Sequence, residues 1–270
     1  MTHPLQRFKV LVLGCFDPPP GKGRIWLALV CGALTHIAFI AGVSAMMVAM
    51  FSGLSRSYGD LDWPWSGLAN GLLILQFPIV HSVLLSGAGR RVLNRMVPGP
   101  HGRTLTTTTY ALIASLQLLA LFLLWTPSGV IWWQAQGLMF VILCLTYGAA
   151  WILLLKAILD AGIELQVGAL GWMSLLQNIP VTFPDMPQTG LFRLIRQPIY
   201  VAFALTLWTV PLWTPDQLAL SLSFTVYCLL APLRKEMRFR LIYGNRFHAY
   251  QMRVPYMIPR GRLDDDDKDQ

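Results

Sequence analysis

Long apolar runs, separated by short polar and proline-containing segments, dominate the chain. A membrane-crossing helix needs about 20 mostly apolar residues, and most of these runs reach that length with few charges. The fifth run is shorter than the others. A helix over it, rising about 1.5 Å per residue, would be only roughly 24 Å long, less than the membrane core of about 30 Å. The pattern predicts an all-α polytopic membrane bundle with six membrane helices, near residues 25–51, 66–85, 106–125, 136–156, 198–213 and 216–233.

Amphipathic segments flank this apolar domain. Near residues 5–16, basic and apolar side chains alternate over too short a run for a span, which predicts a helix lying at the membrane interface. Residues 234–252 set Arg and Lys against Met, Phe, Leu and Tyr, which predicts an amphipathic tail helix. We expect one membrane domain over residues 1–262, followed by an acidic tail or tag remnant over 263–270.

Composition excludes a soluble domain of this size, since 55% of residues are hydrophobic, 13% are charged and the mean hydropathy is +0.53. The net charge of +8 does not indicate nucleic-acid binding. Its basic residues cluster on one side of the predicted spans, and Arg56 is the exception on the other side. Cytoplasmic loops carry excess Lys and Arg. We therefore expect a protein of the bacterial inner membrane with both termini in the cytoplasm and with its basic faces contacting anionic lipids.

Cysteine and glycine spacing excludes several kinds of site. The four cysteines are far apart, and three lie within apolar runs, so neither a disulfide framework nor a metal site is indicated. The glycines near residues 21–23 and 87–102 match neither the dinucleotide fingerprint nor the phosphate-loop spacing. A Rossmann-type cofactor site is therefore not expected.

A motif near the C-terminus carries the most chemical information. An Arg-Gln-Pro turn leads into an apolar hairpin, which is followed by a basic segment with one glutamate. This arrangement resembles the membrane methyltransferases related to isoprenylcysteine carboxyl methyltransferase. The matching positions are Arg196, Pro198, Tyr200, Glu236, Gly244 and Tyr250, whereas Gln197, Ala202, Met237 and Phe247 replace family residues.

A second region resembles a narrower branch of that group. Residues 76–98 and 106–127 look like the methanethiol S-methyltransferase and NnrU-type branch. The segment DAGIELQVGALGW departs from a histidine-containing segment that this branch carries near the same point. A loop at the mouth of a site is where substrate selectivity is expected, so the acceptor stays open between a small thiol, a lipid amine and a prenylated carboxylate.

The resemblance implies S-adenosylmethionine as methyl donor. Arg196 would pair with its carboxylate in a bidentate fork, and Glu236 would accept hydrogen bonds from its ribose or amine. Tyr200 and Tyr250 would supply ring faces and hydroxyls. Gln197 and Pro198 complete the cofactor-binding set implied by the motif.

The family histidine is replaced by Gln197, which accepts no proton at neutral pH. His81 and His248 are the remaining candidates for a catalytic base. His81 lies three residues after Pro78 inside a predicted span, where ionisable residues are more often functional. The alternative is that His81 hydrogen-bonds a neighbouring helix.

Rival interpretations remain open at this point. Arg196 could serve only as an anchor at the membrane interface, and Pro198 could serve only to begin a helix. Neither role requires a binding site. Tyr243-Gly244 with Val254-Pro255-Tyr256 is similar to the tail of NADPH-dependent sterol-type reductases, although their Asn-Tyr-x-Gly-Glu-like segment is missing. A non-catalytic, haem-associated NnrU-like protein would use His81 as a ligand.

Overall fold

The computed structural model of the chain describes residues 4–97 and 99–259. The acidic segment 263–270 lies outside the described residues. The helices are α1 (Pro4–Gly14), α2 (Lys22–Phe51), α3 (Trp65–Leu84), α4 (Gly87–Met96), α5 (Gly102–Leu124), α6 (Gly137–Gln166), α7 (Ala169–Gln177), α8 (Pro198–Trp208), α9 (Pro215–Tyr243) and α10 (Asn245–Arg253). A short 3-10 helix covers Gly190–Arg193, and two two-residue strands, β1 (Trp133–Gln134) and β2 (Leu212–Trp213), form an antiparallel pair.

Five of the described helices are long and apolar enough to cross a membrane, namely α2, α3, α5, α6 and α9. The predicted all-α polytopic bundle is confirmed. Helix α3 shows the lipid-facing character most clearly, because Leu68, Leu72, Leu75 and Ile79 lie on one face and are each 53–59% exposed. An apolar stripe of this kind requires a partner or an acyl-chain environment.

Helices α2 and α5 pack closely through small residues. At Gly42, a side-chain Cβ would lie 2.8 Å from the carbonyl oxygen of Ser115, so the backbones approach too closely for any side chain. Thr35 is fully buried in the same interface, and its hydroxyl donates to the Thr108 carbonyl at 3.4 Å. Small residues and interhelical hydrogen bonds are what hold helices together in lipid, where apolar burial contributes little between helices.

Paired amides join α3 to α5. Gln76 Nε2 donates to the Gln117 carbonyl at 3.0 Å, and Gln117 Nε2 donates to Gln76 Oε1 at 2.6 Å. Nearer the other end of α3, Asn70 exchanges two hydrogen bonds with the backbone of Thr126. These bonds give polar side chains partners inside an apolar layer, where leaving them unpaired is costly.

The fifth predicted membrane helix, near residues 198–213, differs in the structure. Helix α8 has 11 residues, about 16 Å at the usual rise, and bends at residues 209 and 211 lead from it into the extended segment of β2. Pro211 disfavours helical geometry in the residue before it, which accounts for the early end. Because β2 pairs with β1 through Trp133 and Trp213, the helix and the extended segment together cover the distance between the two ends of the bundle.

The sixth predicted helix and the tail helix also differ. The structure does not separate them near residue 233, since α9 is one helix of 29 residues. Charged side chains do not end a helix, and Pro232 lies inside it. Gly244, with φ of 49°, ends α9 and divides the predicted tail helix 234–252 between α9 and α10.

The opposite end of the bundle is joined by buried polar contacts. The Thr214 hydroxyl donates to the Gly53 carbonyl at 2.6 Å, and the Trp125 Nε1 donates to the Asp216 carboxylate at 3.0 Å. These bonds bring together the end of α2, the end of α5 and the start of α9. Counting α8 with its extended segment, six passes place Pro4 and Pro259 on the same side of the bundle.

Two glycine substitutions test the packing of α2 on α5. We expect Gly42→Ala to lower stability by about 1–3 kcal/mol, because the new methyl overlaps the α5 backbone. Gly148→Ala is the matched control, since a Cβ at Gly148 meets nothing within 4 Å in the described part of the chain. Thermal unfolding in detergent measures both. Equal melting temperatures for the two variants would contradict the close approach at Gly42.

Candidate functional site

The Arg-Gln-Pro turn is fixed by the C-terminal segment. The backbone N–H of Arg196 donates to the Pro255 carbonyl at 2.9 Å, and that of Gln197 donates to the Tyr256 carbonyl at 3.2 Å. Pro198 then occupies the first turn of α8, where its missing N–H leaves no bond unmade. This pairing brings the end of the described chain back against the start of α8.

Glu236 lies at the centre of the site. It is 5% exposed, and its Oε1 accepts from Arg196 Nε at 2.9 Å and from Gln197 Nε2 at 2.8 Å. Its Oε2 accepts from Gln251 Nε2 at 2.8 Å and from Arg196 Nη2 at 3.4 Å. The carboxylate therefore has donors on both oxygens. We call Arg196, Gln197, Lys235, Glu236 and Gln251 the charged cluster.

Arg196 is almost fully used within the protein. Besides its two bonds to Glu236, its Nη1 donates to the carbonyl oxygens of Val254 at 2.6 Å and Gln251 at 3.2 Å. A guanidinium has five N–H groups, and these contacts engage four of them. The bidentate fork expected for a cofactor carboxylate is instead directed at Glu236.

Lys235 differs from Arg196 in its partners. Within the described residues, its ammonium donates to Gln197 Oε1 at 3.2 Å and makes no salt bridge. Its Nζ lies 5.6 Å from the ring centre of Phe192, 5.9 Å from that of Tyr200 and 5.5 Å from that of Phe239. A half-buried ammonium thus faces three aromatic rings and has unused donors.

Tyr250 closes one side of the cluster. Its hydroxyl donates to the Phe192 carbonyl at 2.6 Å, and its ring is 4% exposed. Burial raises the pKa of the Tyr250 phenol, so the group stays protonated and keeps this donor role at neutral pH. Phe247 packs beside it with ring centres 6.2 Å apart.

A small cavity lies between these side chains. Its volume is about 10 Å³, room for about one water molecule. The residues around it are Pro187, Phe192, Arg196, Gln197, Lys235, Phe239, Phe247 and Tyr250. The cavity as it stands is therefore too small for a ligand of cofactor size.

A larger open cavity of about 350 Å³ lies at the opposite end of the bundle, beside Arg56 and Asp216. Both oxygens of Asp216 already accept hydrogen bonds from Trp125 and Ser128. None of the residues described around this cavity belongs to the charged cluster. We place the candidate site at the smaller cavity, because buried charges from distant parts of the chain meet there.

Residues 179–189, which we call the cover loop, lie over the small cavity. Met186 is 4% exposed and packs with Phe247 and Tyr250. Asp185 makes a salt bridge to Arg246 on α10, and the Arg246 guanidinium lowers the pKa of the Asp185 carboxyl. A carboxyl with a lowered pKa keeps its stabilising charge above its ordinary pKa and loses it only in acid, so the contact persists at neutral pH.

The predicted site residues are brought together unequally. Arg196, Gln197, Glu236 and Tyr250 meet in or beside the charged cluster, and the Tyr200 ring faces Lys235. Pro198 supports the turn. His248 is exposed on α10 and does not border the cavity, whereas its neighbour Phe247 does.

His81 lies apart from the charged cluster, inside α3. Its ring stacks on Phe77 at 5.1 Å and tilts against Tyr110 at 4.9 Å. Among the described residues, neither His81 Nδ1 nor the Tyr110 hydroxyl has a hydrogen-bond partner. Phe77 contacts Phe224, with ring centres 5.9 Å apart, so aromatic rings continue from His81 towards α9.

Sequence reasoning missed two polar members of the cluster. The amphipathic pattern of residues 234–252 groups Lys235 with the other basic residues of a surface helix, although its position next to Glu236 is a usable signal. Gln251 reaches Glu236 only because the chain turns at Gly244. No helical spacing along the sequence indicates that contact.

Known proteins resemble the chain over most of its length. Methanethiol S-methyltransferase 2 from Bradyrhizobium diazoefficiens is 30% identical over 200 residues, covering 72% of this chain and 73% of that protein. The chain belongs to the methanethiol S-methyltransferase family. Methanethiol S-methyltransferase from Pseudomonas deceptionensis is 29% identical over 206 residues, covering 73% of this chain and 74% of its own length.

Membership of this family confirms the predicted membrane methyltransferase branch and supports an enzymatic role. Nurim from Xenopus laevis is also similar, with 25% identity over 232 residues, 75% of this chain and 79% of Nurim. Neither a family model nor a solved structure matches the chain.

Removal of the Glu236 carboxylate tests how much the charged cluster contributes to the stability of the protein. We expect Glu236→Ala to destabilise the protein by about 3–5 kcal/mol, because Arg196 is left buried without its counter-ion. Asp185→Ala is the control, since its salt bridge is exposed and such pairs contribute at most about 1 kcal/mol. Thermal unfolding in detergent compares them. A loss at Glu236 no larger than at Asp185 would show that the buried pair is not structural.

Proposed function

We propose that the protein transfers a methyl group from S-adenosylmethionine to a small thiol at the membrane surface. Family membership supports methyl transfer to a thiol. The observation that carries the proposal for this chain is the buried cluster of charges and aromatic rings around Glu236, at the positions that the motif indicates.

The chemistry of the site fits the donor. S-adenosylmethionine supplies a methyl group on a sulfonium, and its other polar groups are an amine, a carboxylate and a ribose. The cluster offers a cation with unused N–H groups at Lys235 and an amide at Gln197. Tyr250 borders the cavity, and the Tyr200 ring faces Lys235. Aromatic rings of this kind exclude water and favour cations. Gln197, Tyr200 and Tyr250 would hold the donor directly.

Arg196 and Glu236 contribute differently from what the motif alone indicates. Their mutual pairing fixes the Arg-Gln-Pro turn, α9 and α10 against one another. Orientation of the reactants supplies much of the acceleration in a displacement reaction. In this proposal the ion pair therefore acts mainly by holding the walls of the site in place.

Binding of the donor requires the cover loop to move. A ligand of this size needs a pocket of about 300 Å³ or more, whereas the closed cavity measures about 10 Å³. The loop lies between Asn178 with φ of 55° and Gly190 with φ of 60°. Movement of the loop would break the salt bridge between Asp185 and Arg246 and the packing of Met186 on α10.

The acceptor would approach from the bundle side, past His81 and Tyr110. Small thiols are apolar enough to reach this layer, and a thiol must lose its proton because the thiolate is the nucleophile. His81 Nδ1 is buried and lacks a partner within the described residues, so it can receive that proton. The positive charge of Arg238 on α9 would favour the thiolate form.

The same proposal sets the orientation of the protein. Residues at the end of the bundle that carries the charged cluster include most of the basic side chains, and excess Lys and Arg marks the cytoplasmic side. We place this end, with both termini, in the cytoplasm of a cell bounded by an inner membrane. Exposed cations there, among them Arg234, Arg238 and Arg240, would contact anionic lipids.

A direct assay tests the reaction. Purified protein in lipid, given S-adenosylmethionine labelled in its methyl group and methanethiol, is expected to produce labelled volatile dimethyl sulfide. His81→Ala should lower kcat by about 10²–10⁴-fold if its imidazole removes the thiol proton. The matched control is His248→Ala, which alters an exposed histidine away from the cavity. Absence of volatile label with the intact protein would overturn the proposal, and equal rates for the two variants would remove His81 from the reaction.

Movement of the cover loop has its own test. We expect Asp185→Asn to speed both association and dissociation of S-adenosylhomocysteine by up to about 5-fold, as loss of an exposed ion pair allows. High salt should produce the same change in the unaltered protein, because exposed charges are screened. The variant should lose this salt response, whereas Arg240→Gln should retain it. Stopped-flow fluorescence measures the rates. A salt response unchanged by Asp185→Asn would show that the salt bridge between Asp185 and Arg246 does not hold the cover loop in place.

A further inference from the structure

We infer that Lys235, rather than Arg196, binds the carboxylate of the methyl donor. This inference rests on the proposed function, since it assigns one contact of the same site. It rests on the position of the Lys235 ammonium, which lies at the wall of the cavity and has unused N–H donors. The N–H groups of Arg196 beside it are already bonded to protein oxygens.

Arg196 lacks the geometry for a second carboxylate. Its Nε and Nη2 face Glu236, and its Nη1 faces the carbonyl oxygens of Gln251 and Val254. A bidentate fork needs two parallel N–H groups on one edge. Binding a ligand carboxylate through such a fork would require breaking the contact with Glu236 and leaving that buried carboxylate short of donors.

Charge balance points to the same residue. Arg196 and Glu236 neutralise each other at 2.9 Å, so the charged cluster retains the single positive charge of Lys235. A buried charge without a partner is unfavourable. One ligand carboxylate at Lys235 would neutralise the cluster, whereas a ligand carboxylate at Arg196 would add a second anion next to Glu236.

The environment of Lys235 also favours a strong contact. The ammonium has three donors, of which Gln197 takes one within the described part of the chain. The rings of Phe192, Tyr200 and Phe239 surround it on other sides and reduce its contact with water. In such a low-dielectric setting a charge-assisted hydrogen bond is stronger than at the surface.

The experiment compares two ligands that differ only in the carboxylate, S-adenosylmethionine and its decarboxylated form. Calorimetry gives both dissociation constants for the unaltered protein and for Lys235→Met, which keeps the apolar stem. The unaltered protein should bind the carboxylated ligand roughly 10- to 100-fold more tightly, the range for a hydrogen bond to a charged group. Lys235→Met should abolish this preference by weakening the carboxylated ligand alone.

Matched variants complete the comparison. Lys235→Arg should keep much of the preference because it keeps the charge, and Arg234→Met should keep all of it because Arg234 is exposed. Both ligands are measured on the same preparation, so partial unfolding of a variant cancels in their ratio. The readout is therefore binding, independent of turnover.

Two results would overturn the inference about Lys235, and a third would overturn the proposed function as well. If Lys235→Met weakened both ligands equally, Lys235 would only support the fold. If the preference survived in Lys235→Met, another group would hold the carboxylate. If the unaltered protein bound neither ligand, the proposed function itself would fail, which is distinguishable from the first two results.

Discussion

The buried carboxylate of Glu236 is the constraint on which this end of the molecule depends. It accepts hydrogen bonds from Arg196, Gln197 and Gln251, which belong to two segments separated from α9 along the chain. Glu236 is 5% exposed, and donors on both of its oxygens offset the cost of burying its charge. Glu236 therefore holds the Arg-Gln-Pro turn and α10 together, and with them the walls of the cavity.

The position of Glu236 depends on the continuity of α9. A helix that ended at the membrane surface would leave Lys235 and Glu236 in a mobile amphipathic tail. Because α9 continues to Tyr243, the lipid-facing span and the charged residues belong to one continuous helix. The turn at Gly244 then directs α10 back, so that Phe247 and Tyr250 face the cavity and His248 faces outward. Position along the helix thus decides which side chains belong to the site.

The sequence predicted the bundle well, because apolar run length reports directly on membrane crossing. Through the motif it predicted that Arg196, Glu236 and Tyr250 share a site, and the folded chain brings them in or beside the charged cluster. It did not predict that α8 would end at Trp208, since the effect of Pro211 depends on the pairing of β2 with β1. Nor did it predict the mutual pairing of Arg196 and Glu236, because the number of donors a side chain has left depends on contacts made only in the folded chain.

Gln197 shows why the replacement of a family histidine is compatible with this arrangement. Its amide donates to Glu236 at 2.8 Å and accepts from Lys235 at 3.2 Å, so one side chain connects an anion and a cation. A protonated imidazole offers two donors and no acceptor, and would lose the contact with Lys235. The amide makes both contacts without a change in its own protonation. Gln197 thus fixes the direction of the Lys235 ammonium.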